Sequence, residues 1–575
     1  MVQLSAKRFT AAVGAAVLIG PLAAVQAPPP SSAVLTPSMS AVSATSTASA
    51  EAAAVSAPSW SACRDGFECT TVFAPLDYDR PDGVRVALSV VRLPAGDPGR
   101  RIGSLLLNPG GPGGSGVDFA RDMAKFMPLE LRGRFDIVGF DPRGIRRSSP
   151  LRCYDTFEQA MAGVPPFAFP LTSAEERALH RADQRFASAC ADDGGPILNQ
   201  MSTADAARDM DLLRRALGDE KLTFLGYSYG SFLGQVYANL FPERIRALVI
   251  DGVLDPVAWT TGRGAEAATT PFPVRLHSDQ GSSRALGEFF RLCDAARSDC
   301  AFSGGSRTRY SNLANRLRRD PIRIEGEEGA EETFTYADLV ATTLGALYEP
   351  MVWPDAAEFF ADLERSASEQ RLGRRLATLR AGLGLAAAAP EPYPNVREGF
   401  PGVACSDSVN PRSFEVWRRA AHRAARQYRY FGRLWGWTAS VCAPWPVAAG
   451  QDRYLGPWSA RTSAPVLVVG NYFDPATRYQ GAQTASRLLP NSRLLSYAGW
   501  GHVVYLAGGN YCIDSTVTHY LVTAAVPAPG TVCSPEGSPF GPEESSARAT
   551  NAARASAALT RVVLPAEVRR AVHAR

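Results

Sequence analysis

The sequence predicts an α/β protein: a mostly parallel, doubly wound sheet with a large helical cap inserted into it. Three observations predict this. Short apolar runs alternate with amphipathic segments through the first half of the chain. One run, Leu222-Thr223-Phe224-Leu225, leads into Gly226-Tyr227-Ser228-Tyr229-Gly230 and then a helix-like stretch from Phe232 to Phe241. That is the strand, tight turn and helix in which a G-x-S-x-G serine is held exposed on a strained backbone. Near residue 260 the alternation stops; helical patterns run to about 455, and strand character then returns.

Taken in order, residues 1–27 read as an export signal. Lys7 and Arg8 precede the uncharged stretch Phe9 to Ala27, which is borderline in length for a membrane anchor and rich in alanine. No cysteine follows to carry a lipid. Residues 28–58 are almost wholly Ala, Ser, Pro and Thr, the composition of a disordered linker or propeptide. Residues 59–259 form the first part of the core. Its strands include "VRVALSVVRLP", "IGSLLLNPGGPGGSG", "FDIVGFDPRG" and "IRALVIDGV". Ser202 to Gly218 is a helix that Ser202 can cap. Residues 260–455 form the cap. Residues 456–540 complete the core with strands in "APVLVVGNYFDPAT" and "SRLLSYAGWGH", and 541–575 is an Ala-, Arg- and Glu-rich tail.

Composition narrows the function classes. The chain has 575 residues, 46% hydrophobic and 20% charged, with net charge +4. That is an ordinary globular balance, too near neutral to argue for nucleic acid or an anionic membrane as partner. Ten cysteines in an exported chain imply disulfides. Pairing sequence neighbours closes five local loops: Cys63–Cys69, Cys153–Cys190, Cys293–Cys300, Cys405–Cys442 and Cys512–Cys533. There is no C-x-x-C, no H-E-x-x-H and no clustered acidic spacing, so neither a metal nor a cofactor is expected.

A nucleophilic Ser228 needs a base and an orienting carboxylate, which in this architecture follow in the order Ser, Asp or Glu, His. Three of the six histidines come after Ser228 at positions the order allows: His502, His519 and His573. His519 sits in a helix-like stretch and His573 beside the chain end. His502 ends the glycine-flanked turn "AGWGH" after a strand, and is the expected base. Asp474, at the end of "PVLVVGNYFD", is the expected acid, with Asp251 after "RALVI" as its rival. An oxyanion needs fixed N–H donors. Tyr229 follows the nucleophile and supplies one; the loop "NPGGPGGSG" supplies the other, from Gly111 or else Gly110. That loop lacks both the Gly-Lys-Ser/Thr ending of a phosphate loop and G-x-G-x-x-G spacing.

Together "ECTTVFAPLDYDRPDG", "LLLNPGGPGGSG", "FDIVGFDPRG", "GYSYGS", "VIDGVLDP", "GVACSDS", "APVLVVGNYFDPAT" and "GWGH" resemble one family, from about Cys63 to Cys533. They are similar to the secreted tripeptidyl aminopeptidases and related exported proteinases of actinobacteria, serine peptidases of the α/β-hydrolase fold related to proline iminopeptidases. The resemblance implies release of short peptides, commonly tripeptides, from free N-termini, with Ser228, Asp474 and His502 as the triad. One departure is Arg146 in "DPRGIRRSSP", where the pattern expects glycine; it bears on substrate preference.

An aminopeptidase must also hold a protonated amine with a carboxylate in a partly dry pocket. The candidates are Asp407 in "ACSDS", then Glu349 and Asp355 in "LYEPMVWPDAA"; Tyr348 and Trp353 offer apolar contact or plain packing. The expected function is a secreted serine exopeptidase acting on peptides without a cofactor. A carboxylic-ester hydrolase with the same triad is the alternative. An inactive envelope-binding module would have no reason to retain all these groups.

Overall fold

The computed structural model describes residues 57–325, 331–385, 393–447, 451–541, 554–560 and 564–565. The proposed signal segment, most of the proposed linker and most of the tail lie outside the described residues. Ten strands form one sheet in the order β1-β2-β3-β5-β4-β6-β7-β10-β11-β12. β1 (Ser61–Ala62), β2 (Glu68–Pro75) and β3 (Arg85–Leu93) pair antiparallel at one edge, and β3 joins β5 antiparallel. From there the pairing is parallel through β5 (Phe135–Phe140), β4 (Gly103–Asn108), β6 (Leu222–Tyr227) and β7 (Ile245–Asp251). Every residue of β4, β5 and β6 is buried, as strands covered by helices on both faces must be.

The insertion after β7 is mainly helical, from Pro256–Thr260 to Phe431–Trp437. It also contains a hairpin that the sequence pattern did not reveal: β8 (Ile322–Glu325) paired antiparallel with β9 (Glu331–Phe334). Each strand has four residues and only Ile324 and Phe334 are buried, too few to register as an apolar alternation. The chain then re-enters the sheet as β10 (Val466–Phe473), β11 (Ser492–Trp500) and β12 (Val532–Cys533). Residues 554–560 of the tail are helical, with Ala555 and Leu559 buried.

The strand order places a switch point where ligands bind in open α/β sheets. β5 lies on one side of β4 and β6 on the other, so the loops leaving β4 and β6 diverge above a crevice. In register, Asn108 at the end of β4 faces Gly226 near the end of β6. Five disulfides, Cys63–Cys69, Cys153–Cys190, Cys293–Cys300, Cys405–Cys442 and Cys512–Cys533, each close a short loop of the chain. They fit an oxidising compartment. Among the described residues no helix is long and apolar enough to cross a membrane.

A buried ion pair ties the loop after β5 to the helix Thr203–Ala216. Arg143, in the loop after β5, pairs with Asp209 of the helix Thr203–Ala216 through Nε at 2.7 Å and Nη2 at 2.6 Å. The same guanidinium donates to the carbonyls of Pro75 and Leu76, and the Tyr78 hydroxyl donates to Asp209 at 2.7 Å. Both charged side chains are almost wholly buried. Asp209→Ala leaves the guanidinium buried without its counter-charge, and should reduce the unfolding free energy by about 3–5 kcal/mol. Urea denaturation measures this; an unchanged midpoint would show that the pair is not holding the fold.

Candidate active site

β6 ends at Tyr227 and the helix Tyr229–Leu240 begins two residues later. Ser228 alone makes the turn, with φ 54° and ψ −120°, a strained left-handed backbone for a residue with a Cβ. Its N–H donates to the Asp251 carbonyl at 2.8 Å. The motif glycines follow from close approach. A Cβ on Gly226 would stand 2.3 Å from the Gly230 carbonyl oxygen.

The β4 loop packs against this turn. Gly110 has φ 97°, and a Cβ there would lie 2.4 Å from the Tyr227 oxygen and 2.9 Å from the Tyr229 nitrogen. The Gly110 N–H donates to Asn108 Oδ1 at 3.0 Å, which removes it as a donor for a substrate. No acceptor is found among the described residues for the N–H groups of Gly111 and Tyr229. The loop is braced from behind by Asp141, whose Oδ1 accepts from Ser115 Oγ at 2.6 Å and from Val117 N–H. A cavity bordered by Asn108, Gly110, Met201, Tyr229 and Val403 opens beside the turn.

β7, β10 and β11 lie next in the sheet, so their C-terminal ends meet the same crevice. Asp474 follows β10 and His502 follows β11. His502 Nδ1 lies 2.9 Å from Asp474 Oδ2 and 3.0 Å from Oδ1, with both side chains essentially inaccessible. The carboxylate also accepts from the N–H groups of Ala476 and Thr477 and from Thr477 Oγ1, each at 2.8 Å. These donors fix its position. A carboxylate only accepts, so Nδ1 carries the proton and Nε2 presents a lone pair. Nε2 is buried and has no hydrogen-bond partner among the described residues.

Several supports for this pair were not legible in the sequence. Asn471 Nδ2 donates to the Gly501 carbonyl at 2.7 Å, just before the histidine. From the inserted helices, Ser278 and Ser282 donate to the carbonyls of Ala476 and Pro475 at 2.6 Å, steadying the Asp474 loop. The Tyr348 carbonyl accepts the His502 N–H at 2.9 Å, and its ring meets the imidazole edge-on at 4.9 Å between centroids. Hydroxyls and carbonyls at such positions have no sequence signature; only the packing of cap on core pairs them.

The remaining candidates separate clearly. Asp251 is fully buried at the end of β7, and its Oδ2 accepts from the N–H groups of Val504 and Tyr505 at 2.9 and 2.8 Å. It therefore serves the loop after His502 and has no bond to the imidazole. Burial pushes its carboxyl up to about 6. His519 lies in the helix Tyr511–Thr523, away from the strand ends, and His573 lies outside the described residues. Asp407 is buried with both oxygens occupied: Thr203 N–H and Oγ1 donate at 2.8 and 2.7 Å, and Trp259 Nε1 at 3.3 Å. Thr203 Oγ1 in turn bonds the Tyr229 hydroxyl, so Asp407 brackets the inserted helix Val396–Asp407 to the nucleophile helix. Burial pushes its carboxyl up to about 7.

Glu349 is different. It follows Tyr348 and is buried; its Oε1 accepts only the Met351 N–H at 3.1 Å, while Oε2 is buried with no partner among the described residues. Burial pushes its carboxyl up to about 8. Asp355 lies in the first turn of the helix Trp353–Glu364, and Trp353 is a packing residue, fully buried against Phe289, Trp500 and Phe540. Arg146 has φ 51°, the left-handed backbone that explains the expectation of glycine there. Its N–H donates to Asn395 Oδ1 and its Nη1 to the Pro394 carbonyl, both at 2.9 Å. The arginine thus links the β5 loop to the insertion.

Two family profiles match the chain: "alpha/beta hydrolase fold" over residues 103–271 and "TAP-like protein" over residues 428–533. The chain is 30% identical over 501 residues to "Serine protease Hip1" of Mycobacterium tuberculosis, covering 82% of this chain and 90% of that protein. It is 30% identical over 485 residues to "Tripeptidyl aminopeptidase" of Streptomyces lividans, covering 82% and 84%. It is 32% identical over 493 residues to "Carboxylesterase B" of Mycobacterium tuberculosis, covering 83% and 90%. With this sheet, this serine turn and these full-length relatives, the chain belongs to the tripeptidyl-aminopeptidase-like family of α/β-hydrolase proteins and is a serine hydrolase.

Proposed function

We propose that the protein is a secreted serine exopeptidase that removes short peptides, tripeptides foremost, from free N-termini. The observation that carries this reading is the geometry at the strand ends: His502 held by Asp474 with Nε2 unpaired among the described residues, and Ser228 on a strained turn at the end of β6 in the same sheet. In this reading His502 Nε2 takes the Ser228 proton as Oγ attacks the peptide carbonyl. Asp474 holds the imidazole's tautomer and stabilises its cation. The N–H groups of Tyr229 and Gly111 receive the oxyanion. His502 then returns the proton to the leaving amine, and water repeats the sequence on the acyl-enzyme.

Glu349 is the proposed seat of the substrate's ammonium. Its support is the buried, unpartnered Oε2 one residue from the Tyr348 contact with His502. Without ligand the buried carboxyl holds its proton, since burial raises it to about 8. An arriving ammonium supplies the counter-charge that favours ionisation. The inserted helices, bracketed to the core by Asp407 and Arg146, limit access to chain ends. A carboxylesterase-named relative at similar identity favours a second reading, ester hydrolysis with the same triad.

Three substrates separate the readings: a tripeptide p-nitroanilide with a free amine, its N-acetyl form, and a short-chain p-nitrophenyl ester. The exopeptidase reading expects turnover of the first and loss on acetylation; ester cleavage with both peptides untouched would overturn it. Ser228→Ala should abolish turnover of every substrate while the thermal transition stays in place, and Asp474→Asn should lower kcat by roughly four orders of magnitude. Full activity in Ser228→Ala would sink the mechanism.

Glu349→Gln should lower kcat/KM for the free-amine peptide by at least about thirtyfold, the loss expected when one partner of a buried charge pair is removed. Ester turnover should be unaffected. Stability supplies a ligand-free check. A carboxyl raised from 4.5 to about 8 binds its proton more tightly folded than unfolded. Its contribution is complete below about pH 4.5 and is lost as pH rises to about 8. Wild-type melting temperature should therefore fall across that window more steeply than that of Glu349→Gln; parallel curves would contradict the buried-carboxyl account.

A further inference from the structure

We propose that Asp251 is a positioning residue for the hydrolytic reaction, a single side chain and carbonyl that fix the serine turn and the histidine loop to one another. The inference rests on the reading of Ser228 and His502 as the reacting pair. Asp251 ends β7, between β6 that carries Ser228 and β10 that carries Asp474. Its main-chain carbonyl accepts the Ser228 N–H at 2.8 Å. Its carboxylate Oδ2 accepts the Val504 and Tyr505 N–H groups, two and three residues beyond His502.

The histidine loop needs this hold. Val503 has φ 64°, a left-handed conformation that a β-branched side chain does not adopt without restraint from its surroundings, and Leu506 has φ 62°. Fixed acceptors flank the strained residues: the Tyr348 carbonyl on His502 N–H, Asp251 on the next pair, and Asp514 Oδ1 on Leu506 N–H at 2.9 Å. The Tyr227 hydroxyl donates to the Tyr505 carbonyl at 3.1 Å from directly before the serine. The fit is tight: a Cβ at Gly252 would lie 2.7 Å from Val503 Cγ1 and 3.2 Å from His502 Cε1. An anionic acceptor makes stronger bonds to two N–H groups than a neutral one. If they are released, Val503 relaxes and His502 shifts with it, although no group that touches substrate has been removed.

Asp251→Asn tests this in an isosteric variant that retains an acceptor but loses the charge. It should lower kcat for the free-amine tripeptide anilide about tenfold while KM stays within threefold. The rate of Ser228 labelling by a fluorophosphonate should fall in step. Asp251→Ala, if it folds, should lose more. Adding Val503→Gly to Asp251→Asn should restore part of kcat, because glycine holds φ near 64° without restraint. The inference is overturned if Asp251→Asn keeps kcat within twofold of wild type, if KM rises as kcat falls, or if Val503→Gly restores nothing. Ser228→Ala run alongside tells the two readings apart: an active Ser228→Ala defeats the catalytic reading itself, whereas an inactive one beside a fully active Asp251→Asn defeats only this inference.

Discussion

The structure depends on one constraint, the left-handed backbone at Ser228. A serine at φ 54° has no intrinsic reason to stay there. It is held because β6 feeds directly into a helix and its N–H is captured by the neighbouring strand at Asp251. The β4 loop closes over the turn so tightly that Gly110 has no room for a side chain. Parallel pairing of β4, β6, β7, β10 and β11 then brings five loops to one edge of the sheet. A site assembled at the ends of several rigid strands is positioned by backbone ladders, which resist displacement better than loops do.

The inserted helices act as part of the active site's frame as well as its roof. Ser278 and Ser282 bond the carbonyls beside Asp474, and Tyr348 bonds the His502 N–H. On the other flank Asp407 of the insertion is bonded by Thr203 of the core, and Arg146 of the β5 loop joins the core to Pro394 and Asn395 of the insertion. The buried carboxylates fall into two kinds. Asp407 is enclosed by donors on both oxygens, as a structural group must be. Glu349 and Asp251 each leave one oxygen buried and unpaired, a state that persists only where the surroundings enforce it. Asp251 bonds the loop after His502 and Glu349 follows Tyr348, which bonds His502 itself; each has a proposed role, one toward the loop, the other toward substrate.

Much of this was legible in the sequence, because the relevant signals are local. Apolar runs of four to six residues bounded by glycine-rich turns predicted the central strands, and the G-x-S-x-G turn stood between a strand and a helix. Chain order singled out Asp474 and His502, which the fold brings within hydrogen-bond distance. Pairing neighbouring cysteines matched the local disulfides because each loop is short. The β8–β9 hairpin escaped notice for the opposite reason: two buried side chains carry no period. Asp407 reads in the sequence as the first candidate for the substrate's ammonium, since nothing in "ACSDS" announces Thr203, 204 positions away, as its donor.

By itself, then, the sequence determined the class of sheet, the reactive serine turn, the order of the candidate catalytic groups and the local cross-links, all properties set by neighbours in the chain. The tertiary structure alone decided which carboxylates are occupied and which are left buried and unpaired. It also decided which acceptors hold the histidine loop, and that Arg146 adopts a glycine-like backbone because Asn395 and Pro394 secure it. Those outcomes depend on contacts between residues far apart in the chain, where only three-dimensional packing determines which donor meets which acceptor.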